Sequence, residues 1–183
     1  MNENFLQIAV RTWYLFFNGT VPALPTKYII EQWAKPEADK YLSLYKRVGE
    51  PWGWTGRLML SIEVLQEILD SPLNEVWLFK YEGTVLGFFE IDRSVYGKAE
   101  IVYFGLLPEM VGKGHGKPFL DAAIATAAGS DGDKVWLHTC EYDHPKALGI
   151  YLKAGFEIEK ETIGQEIYSI DFINRRTYYS TSN

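Results

Sequence analysis

The segment Val111-Gly112-Lys113-Gly114-His115-Gly116 constrains this chain more than any other. The apolar run Ala99–Leu107 leads towards it, and an amphipathic stretch from Gly116 to about Ala128 follows at once. Glycines at alternate positions permit a tight turn and let backbone N–H groups come close to a ligand. A helix starting there adds unpaired donors and a positive dipole end, so the turn suits a phosphate or pyrophosphate. Two familiar phosphate motifs do not fit. A P-loop reads Gly-x-x-x-x-Gly-Lys-Ser/Thr, but Pro118 follows Lys117, and the dinucleotide fingerprint spaces its glycines unevenly where these are even.

The rest of the chain reads as one α/β unit. Phe5–Phe17 is apolar and rich in aromatic and β-branched residues, which predicts a strand, and Tyr28–Ala34 predicts a second. Pro36-Glu37 opens a helix to about Val48, and Ser61 caps a short one carrying Val64, Leu65 and Ile68. Val76–Lys80 and Val85–Asp92 form a hairpin turned near Glu82-Gly83, with Ala99–Leu107 as the next strand. After the glycine turn the pattern runs helix, strand Lys134–Cys140, helix Pro145–Ala154, strand Phe156–Lys160 and a last strand around Glu166–Phe172. A mixed, mostly antiparallel sheet flanked by helices follows, of class α/β (α+β). No repeat or linker divides residues 1–183, so a single domain is expected.

The glycine segment resembles the signature of the GNAT superfamily of N-acetyltransferases, Arg/Gln-x-x-Gly-x-Gly/Ala, with Val111 where Arg or Gln is usual. His144-Pro-Lys-Ala147-Leu-Gly-Ile-Tyr151-Leu-Lys153-Ala-Gly155-Phe156 is similar to the second signature, Asn-x-x-Ala-x-x-x-Tyr-x-Lys-x-Gly-Phe, with His144 in place of Asn. The resemblance covers about Val76 to Phe172. Within the superfamily, Tyr41–Leu60 looks like a bacterial subgroup of unassigned acceptor. The resemblance implies a cofactor-binding core at 73–173, a variable acceptor side at 1–72, and strands that part near Leu107 to admit acetyl-CoA. It implies transfer of an acetyl group from acetyl-CoA to a primary amine, direct and in a ternary complex, with no metal.

Such a transfer needs a neutral amine, and an alkyl ammonium has a pKa of about 10.4, so a base is required. Glu100 is the candidate base, at a position where several members of the superfamily keep a glutamate; Glu90 stands in reserve. Alternation places Glu100 on a face with Val102 and Phe104, and the competing reading is a solvated residue at the start of a strand. Tyr151 is the candidate acid for the departing thiolate; its competing reading is a packing residue on a helix face with Ala147 and Leu148. Leu106 and Leu107 would hold the pantetheine arm through backbone N–H groups, and Val111 to Gly116 the pyrophosphate. His144 would start a helix or bond the cofactor arm.

Composition narrows the alternatives. A net charge of −6 without a basic cluster argues against nucleic acid. One cysteine, Cys140, fits a reducing compartment, and the amino terminus shows neither the basic segment of a signal peptide nor an apolar span, so a cytoplasmic protein is expected. His138, Cys140 and His144 lack a fourth ligand for zinc, and Cys140 in a β-rich run reads as a hydrophobe rather than a nucleophile. Trp52 and Trp54 read as an acceptor wall or lid, or as a core plug beneath a loop. A small-molecule or peptide amine is the expected partner; oligomeric state, a homodimer included, is open. Two other functions compete: a non-catalytic CoA-binding or sensing module, and an ATP-binding protein.

Overall fold

In the computed structural model, which describes residues 4–130 and 132–181, the first strand covers Phe5–Phe17 (β1), as its composition predicts. The first residues of the chain, read above for a signal peptide, fall outside the described part. β2 (Ile29–Gln32), α1 (Ala38–Gly49) and α2 (Ile62–Asp70) follow, and the Ser61 hydroxyl accepts from the Val64 N–H at 3.3 Å to cap α2. Then come β3 (Asn74–Tyr81), β4 (Thr84–Asp92), β5 (Lys98–Leu106), α3 (Gly116–Ala128), β6 (Lys134–Cys140) and α4 (Ala147–Ala154). Two predicted strands at the end are instead one long strand, β7 (Phe156–Ser169), and a helix, α5 (Ile170–Thr181). The reason is local. Gly164 stays in register with Val10, and nothing between Lys160 and Glu166 forces a turn. The strand ends only at Ser169, whose hydroxyl accepts from the Phe172 N–H at 3.2 Å and starts α5.

Among the described residues, the strands form one sheet in the order β2-β3-β4-β5-β6-β1-β7, antiparallel except at β5–β6. β1 therefore lies in the far half of the sheet, between β6 and β7, apart from β2, α1 and α2. Phe79, Phe89, Ile101, Phe119, Leu137 and Phe156 fill the core between the sheet and α3 and α4. Tyr41, Tyr45, Val48, Leu65 and Phe88 fill the opposite face, beneath α1 and α2. Each fully buried ring contributes roughly 1.5–3 kcal/mol of transfer free energy, and Phe119, stacked on Phe104 at 4.2 Å, fixes the first turn of α3.

Two irregularities shape what lies between these layers. The β4–β5 register shifts, with Glu90 opposite Tyr103 but Ile91 opposite Ile101, so that Val102 is an extra residue. The β5–β6 ladder is short: it pairs Lys98, Ala99 and Glu100 with Lys134, Val135 and Trp136 and stops there. The strands thus part after Glu100, earlier than the expected place near Leu107. No helix among the described residues is long and apolar enough to cross a membrane.

Candidate active site

The gap between β5 and β6 opens a cavity of about 620 Å³. Its walls come from β5 (Ile101–Leu106), β6 (Leu137, His138, Cys140), the glycine turn and the start of α4. At the turn, Gly112 and Gly114 have φ of +81° and +84°, a region only glycine enters without strain. A Cβ at Gly112, Gly114 or Gly116 would meet no heavy atom within 4 Å, so the space in front of this backbone is open. The Phe119 N–H donates to His115 O at 3.0 Å to begin α3. The Gly116 and Lys117 N–H groups, in the first turn, have no partner within the helix. Open backbone, left-handed glycines and a helix start fit a pyrophosphate.

The six residues of this turn divide by role. Val111, Gly112, Gly114 and Gly116 line the cavity. Lys113 and His115 do not: Lys113 is exposed with its N–H donated to Met110 O at 3.5 Å, and the His115 imidazole is turned back to the Tyr28 hydroxyl at 3.0 Å. Leu106 lines the cavity, whereas the Leu107 N–H donates to Leu86 O at 2.8 Å and its side chain is buried under α1. Leu107 is therefore not free to hold a pantetheine arm. Alternation along β5 turns the Leu106 N–H the other way, towards the open edge. His144 lines the cavity against Trp52, with ring centroids 4.9 Å apart, and its Nδ1 accepts from the Lys146 N–H at 3.1 Å. It satisfies a donor at the start of α4, which begins at Ala147 rather than Pro145.

Tyr151 also lines the cavity, with its ring edge-on to Phe104 and Phe156. Burial, with Asp143 adding to it, raises the phenol pKa well above its ordinary value, so the group stays protonated. Glu100 is placed differently from expectation. The extra residue at Val102 reverses the alternation, so Phe104 faces α3 while Glu100 shares the α1 face with Tyr103. Its carboxylate is bonded to His138 Nδ1 at 3.0 Å, and it is His138 that lines the cavity. Glu90 is wholly buried, accepting from the Tyr41 hydroxyl at 2.5 Å and paired with Arg57, and is no part of the cavity wall.

The Trp52 and Trp54 loop both lines the cavity and packs into the core. Trp52 walls the cavity, and Trp54 packs on Tyr45 and Tyr103 at 5.5 and 5.1 Å. Gly53 is left-handed, and a Cβ there would collide with Phe172 at 2.6 Å, so the loop sits tightly on α5. Cys140 is bonded to the Tyr168 hydroxyl at 3.4 Å, and burial raises its thiol pKa. No group of His, Cys, Asp and Glu suited to a metal occurs among the described residues. His138, Asp143 and Glu166 line the same cavity, a grouping the sequence does not show because β6, the segment after it and β7 meet only through the fold.

The profile of the acetyltransferase (GNAT) family matches residues 30–156. The chain belongs to the GNAT acetyltransferase family. Solved structures agree with it in fold. A GNAT-family protein from Novosphingobium aromaticivorans superposes with a TM-score of 0.62 at 15% identity, over 91% of this chain and 68% of that one. A GCN5-related N-acetyltransferase from Sphaerobacter thermophilus gives 0.60 at 16%, over 91% and 53%. An aminoglycoside acetyltransferase from an uncultured soil sample gives 0.55 at 18%, over 72% and 90%. This chain thus spans little more than half the length of the Sphaerobacter protein. At such identities the likeness is one of fold. Comparison with proteins of curated function finds no match.

Proposed function

We propose that this GNAT protein transfers an acetyl group from acetyl-CoA directly to a primary amine, with both substrates bound at once. The observation that carries the reading is the shared cavity, in which an open glycine cradle, a buried phenol and a carboxylate-bound imidazole face one space. Gly112, Gly114 and Gly116 would hold the pyrophosphate, with Lys146 at the start of α4 as a further cation on the same wall. Leu106 would hold the pantetheine arm. Acetyl-CoA supplies the acetyl group as a thioester, with a thiol leaving group of pKa about 8.5. Tyr151, kept protonated by burial, would give its proton to that sulfur. The proton lost by the amine would be taken up on the Glu100 side. Direct transfer is favoured over a cysteine acyl-enzyme because Cys140 is partly buried and hydrogen-bonded, with its thiol pKa raised. A cytoplasmic setting belongs to the same proposal.

Thermal unfolding with CoA, and with ATP and NADH as controls, tests the cradle. CoA at a hundredfold above its dissociation constant should add about 2.7 kcal/mol, which is a midpoint rise of roughly 2–4 °C per kcal/mol. Thiol release from acetyl-CoA over a panel of amines then tests turnover, and Tyr151→Phe should slow it by up to about 10²-fold. No shift with CoA would remove the reading. A shift without any acetylated amine would turn it into that of a non-catalytic CoA-binding module.

A further inference from the structure

We propose that His138 is the group that takes the proton from the acceptor amine, and that Glu100 is a positioning residue acting through it. This rests on the acetyl-transfer reading. Three observations lead here. The first is placement. Val135 and Leu137 face the core, so alternation along β6 turns His138 to the other face, where it lines the cavity that Glu100 does not reach. The side chain of His138 is 44% exposed and that of Glu100 only 18%, so the imidazole is the outer member of the pair.

The second is the fork. Glu100 is the last β5 residue in the ladder with β6, and the pair bridges the two strands just where they part. The third is chemistry. An ionised carboxylate only accepts, so His138 Nδ1 must carry the proton of that bond, and Nε2 is left with the lone pair. A base needs such a lone pair turned to the substrate. The Glu100 oxygen that faces β6 is already spent on the imidazole.

The surroundings set the working pH. Glu100 from β5, Asp143 after β6 and Glu166 from β7 all act on His138, and the Tyr14 ring of β1 lies 5.9 Å away, with Lys160 of β7 above that ring. The bond to Glu100 contributes most to raising the imidazole pKa above its ordinary value, against a lowering by burial. A raised pKa means that the base is protonated, and idle, to a higher pH than an isolated histidine. In the transfer the ammonium gives one proton to Nε2, and its lone pair then forms the C–N bond as the C–S bond breaks with its pair on sulfur. The nitrogen loses its second proton as the amide forms. One proton returns to sulfur through Tyr151, and the other leaves to solvent.

The test uses the full chain and the best acceptor among tyramine, spermidine and lysine methyl ester, following thiol release against pH. Wild-type kcat/KM should rise along a limb whose midpoint lies above about 6.5, the ordinary histidine value. Glu100→Gln keeps an acceptor for Nδ1–H but removes the charge, so it should move that limb to lower pH and leave substantial activity at high pH. His138→Gln should abolish the limb and cost about 10²–10⁴-fold, and imidazole should partly restore His138→Ala. Midpoint shifts with CoA confirm that each variant is folded. Independently of turnover, an NMR titration of the imidazole, assigned with His138→Gln, should show the raised pKa and its fall in Glu100→Gln. If His138→Gln keeps the limb while Glu100→Gln loses it, Glu100 is the base and the proposal is overturned. An imidazole that titrates unchanged in Glu100→Gln would overturn the positioning role. A panel with no acetylated amine would instead count against the transfer reading itself.

Discussion

Two glutamates on one face of the sheet show how much a residue's chemistry depends on its neighbours. Glu90 sits on β4 with no exposure, between the Tyr41 hydroxyl and the Arg57 guanidinium. Arg57 in turn lies over the Tyr103 ring, and its backbone N–H donates to the Tyr45 hydroxyl at 3.3 Å. Glu90 is wholly buried and Arg57 largely so, so removing one charge leaves the other unbalanced. Glu100 sits at the fork, beside open cavity, with a half-exposed partner. Glu90→Gln should therefore lower unfolding free energy by about 3–5 kcal/mol, read from denaturant midpoints. Glu100→Gln should change it by less than about 1 kcal/mol. Equal stability losses would mean that the fork pair is structural as well, which would weaken its place in the chemistry. In the sequence each stands on a strand amid apolar neighbours; what separates them is their surroundings, Tyr41 and Arg57 enclosing Glu90 and the parting of β5 from β6 beside Glu100.

At the scale of elements, what local chemistry dictates was legible and what pairing dictates was not. β1, α3 and β6 stand at the residues predicted for them, because each is bounded by glycine, proline or a polar break. The resemblance to the GNAT signatures also pointed to the glycine turn and to α4, and both border the cavity. The parting of β5 and β6 after Glu100, the extra residue at Val102 and the union of two predicted strands into β7 all depend on partners distant in sequence. So does the loss of Leu107, whose N–H goes to Leu86. The glycine turn offers a test at this scale. Gly116→Ala places a methyl in open space on a backbone that tolerates it, and should leave stability unchanged or raise it by up to about 1 kcal/mol. Gly114→Ala, at a φ of +84°, should cost roughly 1–2 kcal/mol. The signature admits alanine at the position of Gly116 and not at that of Gly114, so calorimetric CoA affinity should fall in Gly114→Ala and be largely kept in Gly116→Ala. Retained affinity in Gly114→Ala would place the pyrophosphate elsewhere.

Taken as a whole, the molecule is closed by a strand outside the family match. That match spans residues 30–156, yet β1 lies between β6 and β7, with Phe5 opposite Ser169 and the Ile170 N–H bonded to Asn4 O at 3.0 Å. Among the described residues β7 pairs in the sheet with β1 alone, and α5 packs Phe172 against Val10 of β1 and Tyr168 of β7. Through Gly53, against Phe172 and Tyr168, and Thr55, whose hydroxyl donates to Ile167 O, α5 and β7 also steady the loop that walls the cavity. The chain must therefore bring its first strand to its last before the cavity wall is complete, a closure between distant segments that slows folding. Deleting residues 1–17 should strip the sheet partner from β7, expose the edge of β6 and remove the buried side chains of Val10 and Leu15. The expected result is loss of a cooperative thermal transition and of any shift with CoA. A truncated chain that still melts sharply and still responds to CoA would show that residues 18–183 fold without β1, which would then serve the cavity wall rather than the fold.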